Sequence, residues 1–148
     1  MLQMNLFGSV RLAFPESRIL RFRGQTEVAL LIYLAQTRQS HRRDALADLL
    51  WDARSSKQAL GNLRTTLIRL RQQVGDVVIV TRDSLALDSD VRQQVDSVRF
   101  EAQLQALTTC RSSEDASQLR AALALYTGAF LAAFSLPTAP RFEDWVRV

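Results

Sequence analysis

The sequence predicts an α+β domain over residues 1–90, made of a small antiparallel sheet, three helices and a closing β-hairpin, followed by an all-α segment over 91–148. Three observations predict it. Apolar residues alternate in 1–14 and again around 77–87, the period of half-buried strands, whereas between these stretches they recur at offsets of three and four, the period of helices. After Asp88 only the helical spacing continues. Charge divides the chain at the same place: residues 1–87 hold 13 Lys plus Arg against 7 acids, and residues 88–148 hold 6 against 8. A first part of net +6 joined to a second of net −2 points to a polyanion partner for the first and a different partner for the second.

The length of 148 residues suffices for one ordinary core, or for a small domain plus part of another. A chain that is 47% hydrophobic and 23% charged has a soluble globular composition, and no uninterrupted apolar stretch is long enough to span a bilayer, so no membrane partner is expected. The opening MLQMNLFGSVRLAF lacks a basic region before a long apolar run and reads as strand, not signal peptide. Cys110 is the single cysteine and cannot form an internal disulfide, which makes a reducing cytoplasm the expected compartment.

Leu2, Met4 and Leu6, then Val10, Leu12 and Phe14, flank Gly8-Ser9 and predict two antiparallel strands joined by a turn. Pro15 and Glu16 close the second, and the run Ile19, Leu20, Arg21, Phe22, Arg23 suggests a third before Gly24. A helix follows through TEVALLIYLAQTRQ, with Thr26 as N-cap and Val28, Leu31, Ile32, Leu34 and Ala35 buried. Ser40 to Arg43 breaks it, with His41 read first as a surface turn residue and second as a phosphate contact. A second helix runs from Asp44 to Trp51 on Leu46, Leu49 and Leu50. Trp51 ends that helix and packs on the core, and contact of its indole N–H with a phosphate is the second reading. Asp52 to Ser56 is a polar turn.

The third helix, Ser55 to Gly75, carries Lys57, Arg64, Arg69 and Arg71 and contains no acid. Leu60, Leu63, Leu67, Leu70 and Val74 form its apolar stripe. At about 100° per residue, that stripe is opposed by Gly61, Thr65, Ile68 and Gln72, with the arginines on the flanks. Two helices joined by a short polar turn, the second cationic, make a helix-turn-helix, and a helix with one core face and one acid-free basic face suits a DNA major groove. A solvated surface helix is the plainer reading, but such helices usually mix the two signs of charge. Glycine inside a helix costs about 1 kcal/mol relative to alanine, so Gly61 on the outer face is either a site of close approach or neutral.

Val77 to Val80 and Leu85 to Leu87 then predict a hairpin, the wing of a winged helix, whose tip presents Arg82. The polar stretch Asp88 to Val95 reads as a domain boundary. Beyond it, Val98, Phe100, Leu104 and Leu107 predict a helix and Ser117 to Tyr126 a second, ended by Gly128 and separated from the first by the polar segment containing Cys110, read as a small semi-buried residue. Pro137 and Pro140 bracket a loop before a third helix in RFEDWVRV. The acidic pairs Glu114-Asp115 and Glu143-Asp144 fall where helices begin, which suits the helix dipole. Helix, turn, helix without strands resembles the opening of an α-solenoid.

Hydrolytic and metal chemistry need clustered His, Cys, Asp or Glu, and one His and one Cys lie far apart in this sequence. Phosphate loops, dinucleotide fingerprints and nucleophile elbows are absent. The sequence therefore reads as no enzyme, with no cofactor, no metal and no catalytic residues.

The order strand, strand, EVALLIYLAQTRQSHRRDALADLLW, ALGNLRTTLIRLRQQVG, VVIVTRDSLALD resembles the winged-helix domain of the Streptomyces antibiotic regulatory protein family, related to the OmpR/PhoB-type winged helix. RRDALADLLW and NLRTTLIRLR are the most specific pieces. The segments VDSVRFEAQL and LRAALALYTGAFLAAFSLPTAPRFEDWV look like the start of the bacterial transcriptional activator domain, a tetratricopeptide-like helical array that follows this winged helix in the family. That domain is longer than residues 91–148, so the chain is expected to stop inside it. The resemblance implies a transcription regulator, commonly an activator, that binds double-stranded DNA at repeated sites as a dimer and contacts RNA polymerase. It places base contacts at Arg64, Thr65 and Arg69, phosphate contacts at Arg71 and Arg43, and a wing contact at Arg82. Gly61 and Ile68 stand where related proteins often carry basic or polar residues.

The expected mechanism puts helix 55–74 in the major groove. Arg64 or Arg69 donates to guanine, Thr65 and Ile68 meet thymine methyl groups, and Lys57, Arg71, Arg43 and the alternative Trp51 contact phosphate. Two other readings are a protein-interaction module whose basic helix docks an acidic partner, and the DNA-binding head of a larger multidomain sensor.

Overall fold

A computed structural model describes residues 1–15, 20, 22–107 and 112–148. In chain order the described elements are β1 (Gln3–Asn5), β2 (Arg11–Ala13), α1 (Gln25–Thr37), β3 (His41–Arg42), α2 (Arg43–Leu50), α3 (Ser56–Val74), β4 (Val78–Val80), β5 (Ser84–Leu87), α4 (Ser89–Arg92), α5 (Asp96–Ala106), α6 (Ser113–Leu125) and α7 (Pro140–Arg147). Helices and small antiparallel sheets coexist in one chain, the mixed α/β content expected. Ile19 and Arg21, on which the expected third N-terminal strand rests, and Cys110 lie outside the described residues, as do Glu16 and part of the polar segment before α6. No described helix is long and apolar enough to cross a membrane.

The chain divides into two compact units, neither of them contiguous: Met1–Ser17 with Ser89–Phe134, and Arg18–Asp88 with Ser135–Val148. The units change at Asp88–Ser89, beside the division expected at residue 90, while Met1–Ser17 and Ser135–Val148 each group with the segment on the other side of it.

In the first unit β1 and β2 pair antiparallel with Met4 opposite Leu12, and the chain reverses at Gly8, whose φ of +71° suits glycine. Leu2, Met4 and Leu6 alternate onto the buried face. The Asp96 carboxylate, 6% exposed, accepts the Leu6 N–H at 2.7 Å and the Phe7 N–H at 3.2 Å, so a buried charge is satisfied by backbone donors. Phe7 meets Phe100 edge-on at 5.4 Å. Gly128 does not end α6, which closes at Tyr126. A Cβ at Gly128 would lie 2.9 Å from the Gly8 Cα, so glycine is required there by close backbone approach. Helix α6 begins at Ser113, four residues before the expected start, because Ser112 Oγ accepts the Asp115 N–H at 3.1 Å. The stretch 88–95, read as a domain boundary, holds the change of unit at Asp88–Ser89 and is itself packed. Val91 and Val95, four apart, are 5% and 0% exposed, and the one-turn α4 forms to bury them.

The second unit is built on α1, which buries Val28 to Ile32 together with Leu34 and Ala35, leaving little of its circumference to solvent. Its N-cap is Gly24, not Thr26: the Glu27 carboxylate turns back to accept the N–H groups of Arg23 at 2.9 Å and Gly24 at 3.4 Å, which sets the helix start. His41 is not a surface turn residue. It lies in β3, paired with Leu85, and its Nε2 is 2.7 Å from Thr37 Oγ1 while its ring packs on Tyr33 at 4.8 Å. Strand β5 is central, with β3 and β4 at the edges, both antiparallel to it. Helix α7 belongs to this unit and packs on α2. Phe142 is fully buried, Trp145 meets Tyr33 edge-on at 4.8 Å, and Glu143 Oε1 accepts the Leu136 N–H.

Candidate nucleic-acid interface

The candidate surface is centred on α3 in the second unit. Ser55 Oγ accepts the Gln58 N–H at 3.3 Å to start the helix, and Gly75, at φ +73°, closes it by donating to the Arg71 carbonyl at 3.0 Å. Leu63, Leu67, Leu70 and Val74 are buried as their spacing requires, joined by Ala59 and Thr66. Leu60 departs from the expected stripe, being 38% exposed. It opens on a recess of about 320 Å³ between α2 and α3, and Ala59 takes the buried position instead.

Gly61, Arg64, Thr65, Ile68, Arg71 and Gln72 are exposed along the outer face, with Lys57 exposed in the first turn. Ile68 is 54% exposed, unusual for a large aliphatic residue in mid-helix. Thr65 donates its hydroxyl proton to the Gly61 carbonyl at 3.1 Å. A Cβ at Gly61 would meet nothing within 4 Å.

Arg69 stands apart from the other helix cations. Its guanidinium lies 3.9 Å from Glu27, whose side chain is only 5% exposed against 40% for Arg69. Both line a recess of about 300 Å³ with Arg23, Gly24, Thr26, Trp51, Asn62, Thr65 and Thr66. Trp51 is half-buried, lines this recess, and ends α2 by donating its backbone N–H to the Ala47 carbonyl at 2.8 Å.

Arg43 is placed as a brace. Its guanidinium donates to the Thr81 carbonyl at 3.0 Å and its backbone N–H to the Asp83 carbonyl at 2.9 Å, tying the start of α2 to the turn between β4 and β5. Arg82 sits exposed in that turn. Beside Arg43, the Asp44 carboxyl is held below its usual pKa range by hydrogen bonds from Arg42 at 3.3 Å and from the Ala45 N–H. Asp48 and Asp52 face Arg141 of α7 at 3.4 and 3.8 Å. Glu27, Asp44, Asp48 and Asp52 thus each face an arginine, while Lys57, Arg64 and Arg71 are presented to solvent.

Arg64, Thr65, Ile68, Lys57 and Arg71 therefore share the outer side of α3, with Arg69 drawn to the α1 side and Arg43 to the hairpin turn. Two residues of this surface escaped the sequence reading. Glu27 is signalled only by its place three residues after Gly24, the position from which a carboxylate caps a helix start. Arg54, exposed in the turn before α3, had only its charge as a signal. Among the described residues no group of three His, Cys, Asp or Glu side chains could hold a metal ion. No protein-family model and no curated protein sequence matches the chain.

Proposed function

We propose that the chain is a sequence-specific double-stranded DNA-binding transcription regulator, whose second unit works as a winged helix-turn-helix. In this reading α2 and α3 are the helix pair, α3 enters the major groove, and the β4–β5 hairpin is the wing with Arg82 at its tip. The observation that carries it is the outer face of α3, nineteen residues without an acid, which exposes Lys57, Arg64 and Arg71 while the opposite face is buried. A groove lined by phosphates complements such a face, and the groove admits a helix. The resemblance to the Streptomyces antibiotic regulatory proteins supports an activator that binds repeated sites as a dimer and contacts RNA polymerase, with the first unit's α5 and α6 opening a tetratricopeptide-like array.

Roles follow from placement. Arg64, Thr65 and Ile68 face bases, Lys57 and Arg71 neutralise phosphates, and Arg43 acts on the wing by holding its turn. Arg69 reaches the groove only by leaving Glu27. Selecting bound duplexes from a random pool with the full chain tests the reading: a defined, repeated motif is expected, and equal affinity for selected and scrambled duplex, lost together in salt, would instead identify an interaction module for acidic partners.

A further inference from the structure

We infer that α3 reads its site through the 5-methyl groups of thymine, using an uncharged strip of Gly61, Thr65 and Ile68, and that Glu27 withholds Arg69 from this strip. The inference rests on the DNA-binding reading above and specifies its chemistry. Together with Gln72 toward the C-terminal end, the strip is the part of α3 furthest from the core, so it is what a groove floor would meet first. None of its side chains offers a proton: Gly61 has none, Ile68 has none, and the Thr65 hydroxyl already donates to the Gly61 carbonyl at 3.1 Å. The cations that pair with guanine are absent from these three positions and stand on the flanks, Arg64 on one side and Arg69 on the other, and the amide of Gln72 is the one side-chain donor continuing the line.

Arg69 is further restrained. Its partner Glu27 is almost fully buried and is anchored by the N–H groups of Arg23 and Gly24, so the carboxylate cannot follow the guanidinium outward. What the strip exposes beside Thr65 is aliphatic or bare: Ile68 is 54% exposed, and the bare backbone at Gly61 lets the helix approach closely, since nothing lies within 4 Å of where a Cβ would be. Lys57, Arg64 and Arg71, seven residues apart in turn, line one flank of the strip as a row of exposed positive charge, which selects a nucleic-acid groove over an apolar protein surface as its occupant. Within the major groove the aliphatic feature that varies between base pairs is the thymine methyl.

The test is a uracil scan. After a motif is selected with the full chain, each thymine is replaced singly by deoxyuridine, which keeps base pairing and removes only the methyl. Affinity is expected to fall about fourfold at one or two positions, the effect of one buried methyl group. Ile68→Ala is expected to make one of those positions insensitive to uracil, and Thr65→Ser, which keeps the hydroxyl, another. Lys57→Ala is expected to weaken binding while leaving the uracil pattern intact. A selected motif with no uracil-sensitive position would overturn methyl reading and leave the DNA reading standing, as would uracil sensitivity unchanged in both variants. No selected motif would overturn the DNA reading and this inference together.

Discussion

Arg64 and Arg69 have the same side chain on the same helix and opposite surroundings, solvent for one and a buried carboxylate for the other. Removing that carboxylate affects more than the ion pair. Glu27→Ala leaves the Arg23 and Gly24 N–H groups without their acceptor, and an unfolding free energy lower by about 1–3 kcal/mol is expected from denaturant midpoints. Gly61→Ala separates stability from binding. Relieving helical glycine should raise stability by up to about 1 kcal/mol, because the methyl meets nothing in the free protein, while affinity for a selected duplex should fall. Calorimetry and gel shift on the same preparation check the two signs. His41 makes stability depend on pH. Burial lowers its pKa below the ordinary 6.5, so the unfolded chain binds the proton more readily, and the contribution present above pH 6.5 is lost as pH falls below it. His41→Gln should flatten that slope in urea midpoints measured between about pH 5 and 7. At this scale the sequence showed the direction of Thr65 and Ile68, because helical period sets an angle. It did not show the partner of Arg69, because period says nothing of what another helix brings alongside.

Elements were legible where they were long. Helices α1, α3, α5 and α6 repeat at three and four over enough residues to be read, and the β4–β5 hairpin is marked by β-branched residues around a polar turn. Strand β3 has two residues, too few to show any period, and is defined by its pairing with β5. Leu60 was misplaced because a helical wheel treats every position on a stripe alike, whereas the cover given by α2 stops short of it. The helix with most to reveal is α7. Phe142 fills a fully buried site in a unit otherwise formed far earlier in the chain, and Phe142→Ala is expected to lower stability by about 3–5 kcal/mol in urea unfolding. Arg141→Ala, which removes exposed contacts to Asp48 and Asp52, should cost less than about 1 kcal/mol.

For the whole molecule, charge asymmetry was the clearest property of the sequence and the unit boundaries the least clear. Arg54, Lys57, Arg64, Arg71 and Arg82 are exposed on or beside the proposed interface, and neutralising about five phosphates gives a log–log salt slope of about −4 to −5 on selected duplex. Lys57→Ala should reduce that slope by about one on every sequence. Composition marks the change of unit at residue 88 but not the assignment of the two ends: residues 1–17 pack with 89–134, and 135–148 with 18–88. Each unit therefore closes only when segments from both ends of its span have been made. Neither can be passed on as a continuous stretch of coding sequence, so recombination that moves the candidate DNA-binding unit into another protein must carry the other unit with it or leave α7 behind.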